Sequence, residues 1–217
     1  MHGEVWILLN GIRTVAGAPD GWVDRASRLM RTRWSLHAEK FEYTTSFLFT
    51  RAAFQPERVR DLEYYINAYR EEGWKVNLIG HSNGGELITR AVRDYPHDNI
   101  GKVVLIAGAT EKDMVESGWD DALHSGEVDE LVIFKSDGDK TLKKAAGWSQ
   151  KLFGWNKLTR PLSYGQMGLY GPQNVAEDIK DKVKVIDAGE AYGKHLDHSE
   201  YFEDEHLLRT LTLALES

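Results

Sequence analysis

The 217-residue sequence contains no cysteine. This absence excludes a disulfide-stapled scaffold, a thiol nucleophile and any site in which cysteine binds zinc or an iron–sulfur cluster. Long apolar runs are missing as well. The strongly apolar runs, such as Val5–Leu9 and Val103–Ala107, are far shorter than the ~20 residues that cross a bilayer. The sequence therefore predicts no integral membrane association.

Basic charge is scarce, with 27 Lys+Arg against 34 Asp+Glu and a formal net charge of −7. An acidic chain is a poor match for phosphate backbones and anionic lipid surfaces, so we expect no nucleic-acid partner. The N-terminus also lacks a basic segment followed by an apolar stretch, which is the pattern of a secretory signal. Together with the absence of cysteine, these features predict a cytoplasmic protein.

Short apolar runs alternate with amphipathic stretches along most of the chain. We predict strands in these runs, at Val5–Leu9, Lys40–Phe49, Lys75–Ile79, Lys102–Ala107, Glu130–Lys135 and Lys182–Asp187. The stretches between them have apolar residues at helical spacing, and Glu203–Leu213 closes the chain as a helix. Strands that alternate with helices predict a mostly parallel sheet covered on both faces, a three-layer α/β/α fold. The length suits a single domain over residues 1–217.

Residues 148–172 interrupt this alternation, because aromatic and apolar side chains stand there between scattered glycines. A long connection with its own apolar side chains suits a lid or binding loop, a loop that covers the core, or a surface between subunits. The sequence favours none of these three, and it leaves the oligomeric state open.

The segment Gly80–Gly84 fits the pattern G-x-S-x-G, with Ser82 at its centre. It lies between the predicted strand Lys75–Ile79 and a predicted helix. A sharp turn at this place holds the serine in a strained conformation and presents its hydroxyl above the sheet. Side chains at positions 80 and 84 would collide across such a turn. The helix N-terminus also favours negative charge, so the pattern predicts Ser82 as a catalytic nucleophile.

Two nucleotide-binding patterns fail at this segment. A phosphate-binding P-loop needs Lys and then Ser or Thr after its second glycine, but Gly85 is followed by Glu86 and Leu87. A dinucleotide-binding motif needs glycine where Ser82 stands. We therefore expect no nucleotide cofactor, and the serine chemistry requires no other cofactor.

A serine hydroxyl is a weak nucleophile near neutral pH, so it needs a base. His195 and His198 both lie after the last predicted strand and before the terminal helix. We prefer His198, which is nearer the helix start, and keep His195 in reserve. His81 lies beside the nucleophile and is expected to point away from the place that a base must reach. The other histidines are predicted to be surface or packing residues: His2, His37, His97, His124 and His206.

The base in turn needs an acid that orients it, and Asp137 and Asp139 follow the predicted strand Glu130–Lys135. We prefer Asp139, because one more loop residue lets it reach over the edge of the sheet, and keep Asp137 in reserve. The alternative is structural, with one aspartate in a turn and the other capping a helix. We expect one of the two to have such a role.

Metal sites fit the sequence poorly. A calcium loop that begins at Asp137 would place Leu142 where glycine is needed and Trp148 where glutamate is needed. Asp197 and Glu200 stand beside the two candidate histidines, but no third group of ligands accompanies them. We therefore expect no metal.

The order Ser82, Asp139, His198 along the chain resembles that of the α/β-hydrolase superfamily. Two further segments share this likeness. The first predicted strand ends in Asn10-Gly11, and His198–Phe202 is similar to the catalytic-histidine segment of many lipase-like members. The resemblance covers nearly the whole chain.

This resemblance implies a serine hydrolase without a large cap, since only a short stretch separates Ala107 from Glu130. It implies hydrolysis of a small-molecule carboxylic ester through an acyl-enzyme, as in small lipases and esterases. It also implies an oxyanion hole made by the backbone amides of Ile12 and Asn83. Asn10 stands where the family usually has histidine, but the donor that follows belongs to the main chain.

Two alternatives use the same residues differently. The same three side chains also serve thioesters and amides, so a thioesterase or amidase is the second enzymatic hypothesis. A non-catalytic α/β-hydrolase scaffold that binds a small ligand or a protein is the third hypothesis, because fold does not imply activity. Such scaffolds normally lose the serine or the histidine, and both are present here.

Overall fold

The computed structural model describes residues 3–11, 21–43, 56–95, 100–153 and 165–217. The strands are β1 (Glu4–Leu9), β2 (His37–Phe41), β3 (Lys75–His81), β4 (Ile100–Ile106), β5 (Val128–Lys135) and β6 (Val183–Asp187). The helices are α1 (Trp22–Trp34), α2 (Pro56–Glu71), α3 (Asn83–Asp94), α4 (Met114–Ser117), α5 (Trp119–Ser125), α6 (Lys140–Phe153), α7 (Met167–Tyr170), α8 (Ala188–Tyr192) and α9 (Asp204–Glu216). Short 3₁₀ helices lie at Glu177–Lys182 and Glu200–Phe202.

The strands form one sheet in the order β2-β1-β3-β4-β5-β6, and every neighbouring pair is parallel. Helical crossovers join the strands, because a parallel pair cannot be closed by a tight hairpin. The predicted parallel α/β architecture is confirmed.

The predicted strand bounds are least accurate at the edge of the sheet. The strand predicted at Lys40–Phe49 begins earlier, at His37, and ends at Phe41. Its first residue pairs with Val5 of β1. The start was missed because an edge strand is only half buried and here carries charged residues, so its apolar pattern is weak. Residues 44–49 of the prediction lie outside the described part of the chain.

Apolar residues cover both faces of the sheet, because helices pack on each. Alternate residues of a strand point to opposite faces. Val5, Ile7 and Leu9 pack with α2, α3 and α5 on one side. Trp6 and Leu8 pack with α1 and α9 on the other. The three-layer prediction is therefore confirmed, and it explains why the central strands are continuously apolar.

The chain reverses its direction of winding at β1. After β1 it goes outward to β2 at one edge, and it then crosses back to β3 on the other side of β1. The carboxyl ends of β1 and β3 therefore lie side by side, and the register pairs Leu9 with Gly80. The crevice at such a reversal is where open α/β sheets bind ligands. The fold thus directs Asn10-Gly11 and Ser82 to the same crevice.

The connection between β4 and β5 is short, as the resemblance implied. It folds into α4 and α5, whose Met114, Trp119 and Leu123 are buried against the sheet. No cap domain is inserted within this fully described stretch. Across the described residues, no helix is both long enough and apolar enough to span a membrane.

Residues 148–172 do not form one continuous loop. Residues 148–153 complete α6. At the other end, the amide of Gly168 donates to the carbonyl of Gly108, and Met167 and Leu169 are buried beside the turn that follows β4. Residues 154–164 of the predicted lid lie outside the described part of the chain.

Candidate active site

The backbone of Ser82 is strained, as the elbow pattern predicts. Its φ of 54° and ψ of −119° lie in a region that non-glycine residues rarely adopt. Such strain costs about 1–3 kcal/mol and persists only where neighbouring groups enforce it. The amide of Ser82 donates to the carbonyl of Ile106 at 3.0 Å, and its carbonyl accepts from the amides of Gly85 and Ala109 at 3.1 Å each. These bonds to β4 and α3 hold the turn in place.

Two glycines leave the space that the turn needs. A Cβ atom at Gly80 would lie 2.7 Å from the amide nitrogen of Gly85, across the turn. A Cβ atom at Gly84 would lie 2.5 Å from the carbonyl oxygen of Asn10 and 2.8 Å from that of Leu9. The predicted collision across the turn is therefore found at Gly80, whereas Gly84 is crowded by the end of β1. Both glycines are required, but by different neighbours.

Ser82, His198 and Asp139 form a continuous chain of hydrogen bonds. The Oγ of Ser82 lies 2.8 Å from Nε2 of His198, and Nδ1 of His198 lies 2.6 Å from Oδ2 of Asp139. Since a carboxylate only accepts, Nδ1 of His198 carries the proton and Nε2 accepts from the serine hydroxyl. The structure thus brings together the three residues that the sequence argument preferred.

Asp139 has a second partner that fixes its orientation. It is fully buried, and its Oδ1 accepts from the amide of Leu142 at 2.7 Å, within the first turn of α6. A buried carboxylate is costly unless hydrogen-bonded, and here both oxygens have donors. The sequence predicts that one of the two aspartates caps the helix and the other binds the histidine. In the structure Asp139 does both.

The two reserve residues bind each other. Nδ1 of His195 lies 2.6 Å from Oδ1 of Asp137, with side chains 57% and 61% exposed. This pair lies at the surface and does not join the hydrogen-bond chain of Ser82.

Asn83 is the first residue of α3, directly after Ser82. The amide of a first helical residue has no intrahelical acceptor, so it is free to bind an anion beside the elbow. The predicted second amide, that of Ile12, lies outside the described residues.

The loop that leads to residue 12 is anchored up to Gly11. The hydroxyl of Tyr43 donates to the carbonyl of Asn10. Burial raises the pKa of Tyr43 above its usual value, and this favours the protonated donor. A Cβ atom at Gly11 would lie 2.9 Å from Cβ of Ser82, so only glycine allows this approach. Glycine at position 11 therefore allows the ends of β1 and β3 to lie in contact.

His81 has a role that sequence reasoning missed. Its Nε2 lies 2.9 Å from the backbone carbonyl oxygen of His198, and the two ring centroids are 4.7 Å apart. Burial, with a smaller effect from His198, holds the pKa of His81 well below its ordinary value. His81 is therefore neutral near pH 7 and donates its Nε2 proton to that carbonyl. The only signal in the sequence was the presence of a histidine inside the elbow.

A family model described as "Alpha/beta hydrolase of unknown function (DUF900)" matches residues 30–214. The chain belongs to this alpha/beta hydrolase family. No curated protein matches the hydrolase at a significant level.

Solved structures share the fold of this hydrolase at low sequence identity. A protein of the alpha/beta hydrolase superfamily from Xanthomonas campestris is 16% identical, with 99% of each chain covered and a TM-score of 0.52. A hydrolase from Agrobacterium vitis is 14% identical, with 98% of this chain and 87% of that chain covered and a TM-score of 0.56. An extracellular alpha/beta-hydrolase from a Paenibacillus species is 12% identical, with 97% and 98% covered and a TM-score of 0.54. At these identities the likeness shows the fold alone.

Asp197 and Glu200, the acidic residues considered for a metal, bind backbone amides of the hydrolase. Oδ1 of Asp197 accepts from the amides of His198 at 2.8 Å and Lys140 at 3.1 Å. Burial raises the pKa of Asp197, but its amide donors outweigh burial and lower it overall. Oε2 of Glu200 accepts from the amide of Asp197 at 2.6 Å. Within the described ranges, no group of three or more histidine, aspartate or glutamate side chains could hold a metal ion.

Proposed function

We propose that this hydrolase cleaves carboxylic esters through an acyl-enzyme on Ser82. The observation that carries the proposal is the hydrogen-bond chain from Ser82 through His198 to Asp139, with separations of 2.8 and 2.6 Å. An alcohol becomes a useful nucleophile near neutral pH when a base in the correct tautomer accepts its proton. Membership of an alpha/beta hydrolase family supports the same chemistry.

Acylation begins when Oγ of Ser82 attacks the ester carbonyl carbon and passes its proton to Nε2 of His198. The carbonyl oxygen becomes an oxyanion, which the amide of Asn83 stabilises; the family resemblance implies the amide of residue 12 as a second donor. Loss of one such donor typically costs roughly 10²–10³ in rate. The bond to the alcohol oxygen then breaks, and His198 gives that oxygen its proton. The alcohol leaves, and the acyl group stays on Ser82.

Deacylation repeats these steps with water. His198 takes a proton from the water, whose oxygen attacks the acyl carbon. The bond from this carbon to Oγ of Ser82 then breaks, and the proton on His198 returns to the serine. One ester and one water become one acid and one alcohol. Asp139 accepts the hydrogen bond from Nδ1 throughout and so keeps that proton of the imidazole in place.

The test is hydrolysis of p-nitrophenyl esters from acetate to palmitate by the wild type and by Ser82→Ala. We expect the variant to lose at least about 10⁴-fold in kcat with an unchanged circular-dichroism spectrum. Ser125→Ala is the matched control and should keep full activity, because Ser125 lies at the end of α5 before the amino end of β5, whereas the elbow follows the carboxyl end of β3. The chain-length profile of the wild type would give the size of the acyl site. Full activity in Ser82→Ala would overturn the proposal, and turnover of thioesters or amides alone would replace the ester as substrate.

A further inference from the structure

His81 lies inside the elbow, but the proposed proton transfers do not use it. It is only 7% exposed, and its ring is packed on several sides. The ring of Trp22 stacks on that of Phe202 with centroids 4.0 Å apart, and Phe202 meets His81 edge-on at 4.8 Å. A Cβ atom at Gly11 would lie 3.0 Å from Nδ1 of His81. The imidazole is therefore held in one orientation.

The polar groups of His198 form hydrogen bonds on two sides, one facing α6 and the other facing the end of β3. Its amide donates to Asp197 at 2.8 Å and its Nδ1 to Asp139 at 2.6 Å. Both aspartates also accept amides from the first turn of α6, so they tie the histidine to that helix. Its carbonyl instead accepts from His81, at the end of β3 and next to Ser82. This bond links the base directly to the strand that carries the nucleophile.

We infer that His81 is a positioning residue, whose hydrogen bond to the carbonyl of His198 sets the distance between Nε2 of His198 and Oγ of Ser82. The inference rests on the proposed function. The segment that carries His198 lies between α8 and α9 and has no strand of its own to fix its position against β3. A misplacement of 1 Å in a reacting group can cost about 10²-fold in rate. Removing the donor should therefore slow the chemical step and leave substrate binding almost unchanged.

The test compares His81→Gln with His81→Met. The two new side chains are equal in length, but only the glutamine amide can donate to the carbonyl of His198. The measurements are the rate constant for labelling of Ser82 by a fluorophosphonate, kcat per titrated site and KM for the best p-nitrophenyl ester, and Tm. For the methionine variant we expect labelling and kcat to fall by about 10- to 100-fold with KM within about 3-fold. The glutamine variant should stay within about 3-fold of the wild type in labelling rate, kcat and KM.

Wild-type rates in His81→Met would overturn the inference, as would equal losses in the two variants. A wild-type protein that is folded but never labelled would instead overturn the proposed function. If His81→Met does not fold, His81→Asn replaces it, since its amide is one bond shorter and cannot reach the carbonyl. A slow asparagine variant beside a fast glutamine variant would support the inference, and equal rates would overturn it.

Discussion

Two aspartate–histidine pairs lie on the same two loops of this hydrolase. Asp139–His198 and Asp137–His195 have the same separation of 2.6 Å between Nδ1 and the carboxylate oxygen. Their surroundings differ. In the first pair the aspartate is fully buried and the histidine is 15% exposed, whereas both side chains of the second pair are more than half exposed. Distance alone therefore does not separate an active pair from a surface pair.

The contacts at the far ends of each pair explain the difference. The second oxygen of Asp139 accepts from the amide of Leu142, and Nε2 of His198 meets Ser82. These contacts fix the imidazole and the carboxylate in a largely buried environment, where electrostatic effects are strong. The pair of Asp137 and His195 faces water, and an exposed pair of this kind contributes about 0–1 kcal/mol to stability even when both partners are charged. Burial and a nucleophile, rather than pairing, distinguish the candidate site.

The largest expected difference between the two pairs is the loss of catalytic activity when the histidine of each pair is replaced. His198→Ala should lower kcat/KM for a p-nitrophenyl ester by at least about 10⁴-fold, because Ser82 loses its base. His195→Ala should stay within about 2-fold, because nothing it contacts reacts. Steady-state kinetics of both variants make the comparison, and comparable losses would show that the two pairs are not distinct in function.

Replacing the two aspartates should give a difference in kcat that is almost as large. Asp139→Asn keeps an oxygen that can cap α6, but it no longer stabilises the imidazole with the proton on Nδ1, so kcat should fall by about 10³–10⁴-fold. Asp137→Asn should leave kcat unchanged. Thermal unfolding of both variants would check that the helix cap survives. If Asp137→Asn were the more damaging change, the assignment of the orienting acid would be wrong.

A smaller effect separates buried His81 from exposed His195. Burial lowers the pKa of His81, so below about pH 6.5 the unfolded chain takes up a proton that the folded chain resists. The unfolding free energy of the wild type should therefore fall as the pH drops below that value, by up to about 1.4 kcal/mol per pH unit from this group. The loss should end at the lowered pKa of the folded state.

Urea unfolding at pH 7.5 and pH 5 measures this pH dependence. His81→Gln should lose the part of the pH dependence that His81 supplies, while His195→Ala should retain it. An unchanged pH dependence in His81→Gln would contradict the burial argument.

The smallest expected effect is the stability change on removing the surface pair. Asp137→Asn should alter the unfolding free energy by less than ~1 kcal/mol, because both side chains of the pair are exposed and water and salt weaken any attraction between them. Urea unfolding at low and high salt measures it. A loss of several kcal/mol would mean that this pair is structural after all.

The sequence predicted most of the fold and the preferred candidate residues for clear physical reasons. A buried parallel strand is apolar along its whole length, and the change to helical spacing after Ser82 marks a strand–turn–helix unit. The order of the candidate residues along the chain added the family resemblance. The choice of Asp139 over Asp137 followed from loop length, and the structure brings Asp139 to His198.

Other features depend on tertiary packing, which local patterns do not encode. The hydrogen bond from His81 to His198 joins residues 117 positions apart. The crowding of Gly84 comes from Asn10, on a different strand end. The double role of Asp139 required both the start of α6 and the position of His198. In each case the missing information was which segments meet in space.

Labelling of the folded wild-type protein with a fluorophosphonate, followed by peptide mapping, tests directly whether Ser82 is the nucleophile and His198 its base. We expect one adduct, on Oγ of Ser82, that forms at the wild-type rate in His195→Ala and is slowed severely in His198→Ala. An adduct on another residue would contradict this assignment. So would a folded protein that forms no adduct, or equal labelling rates in the two histidine variants.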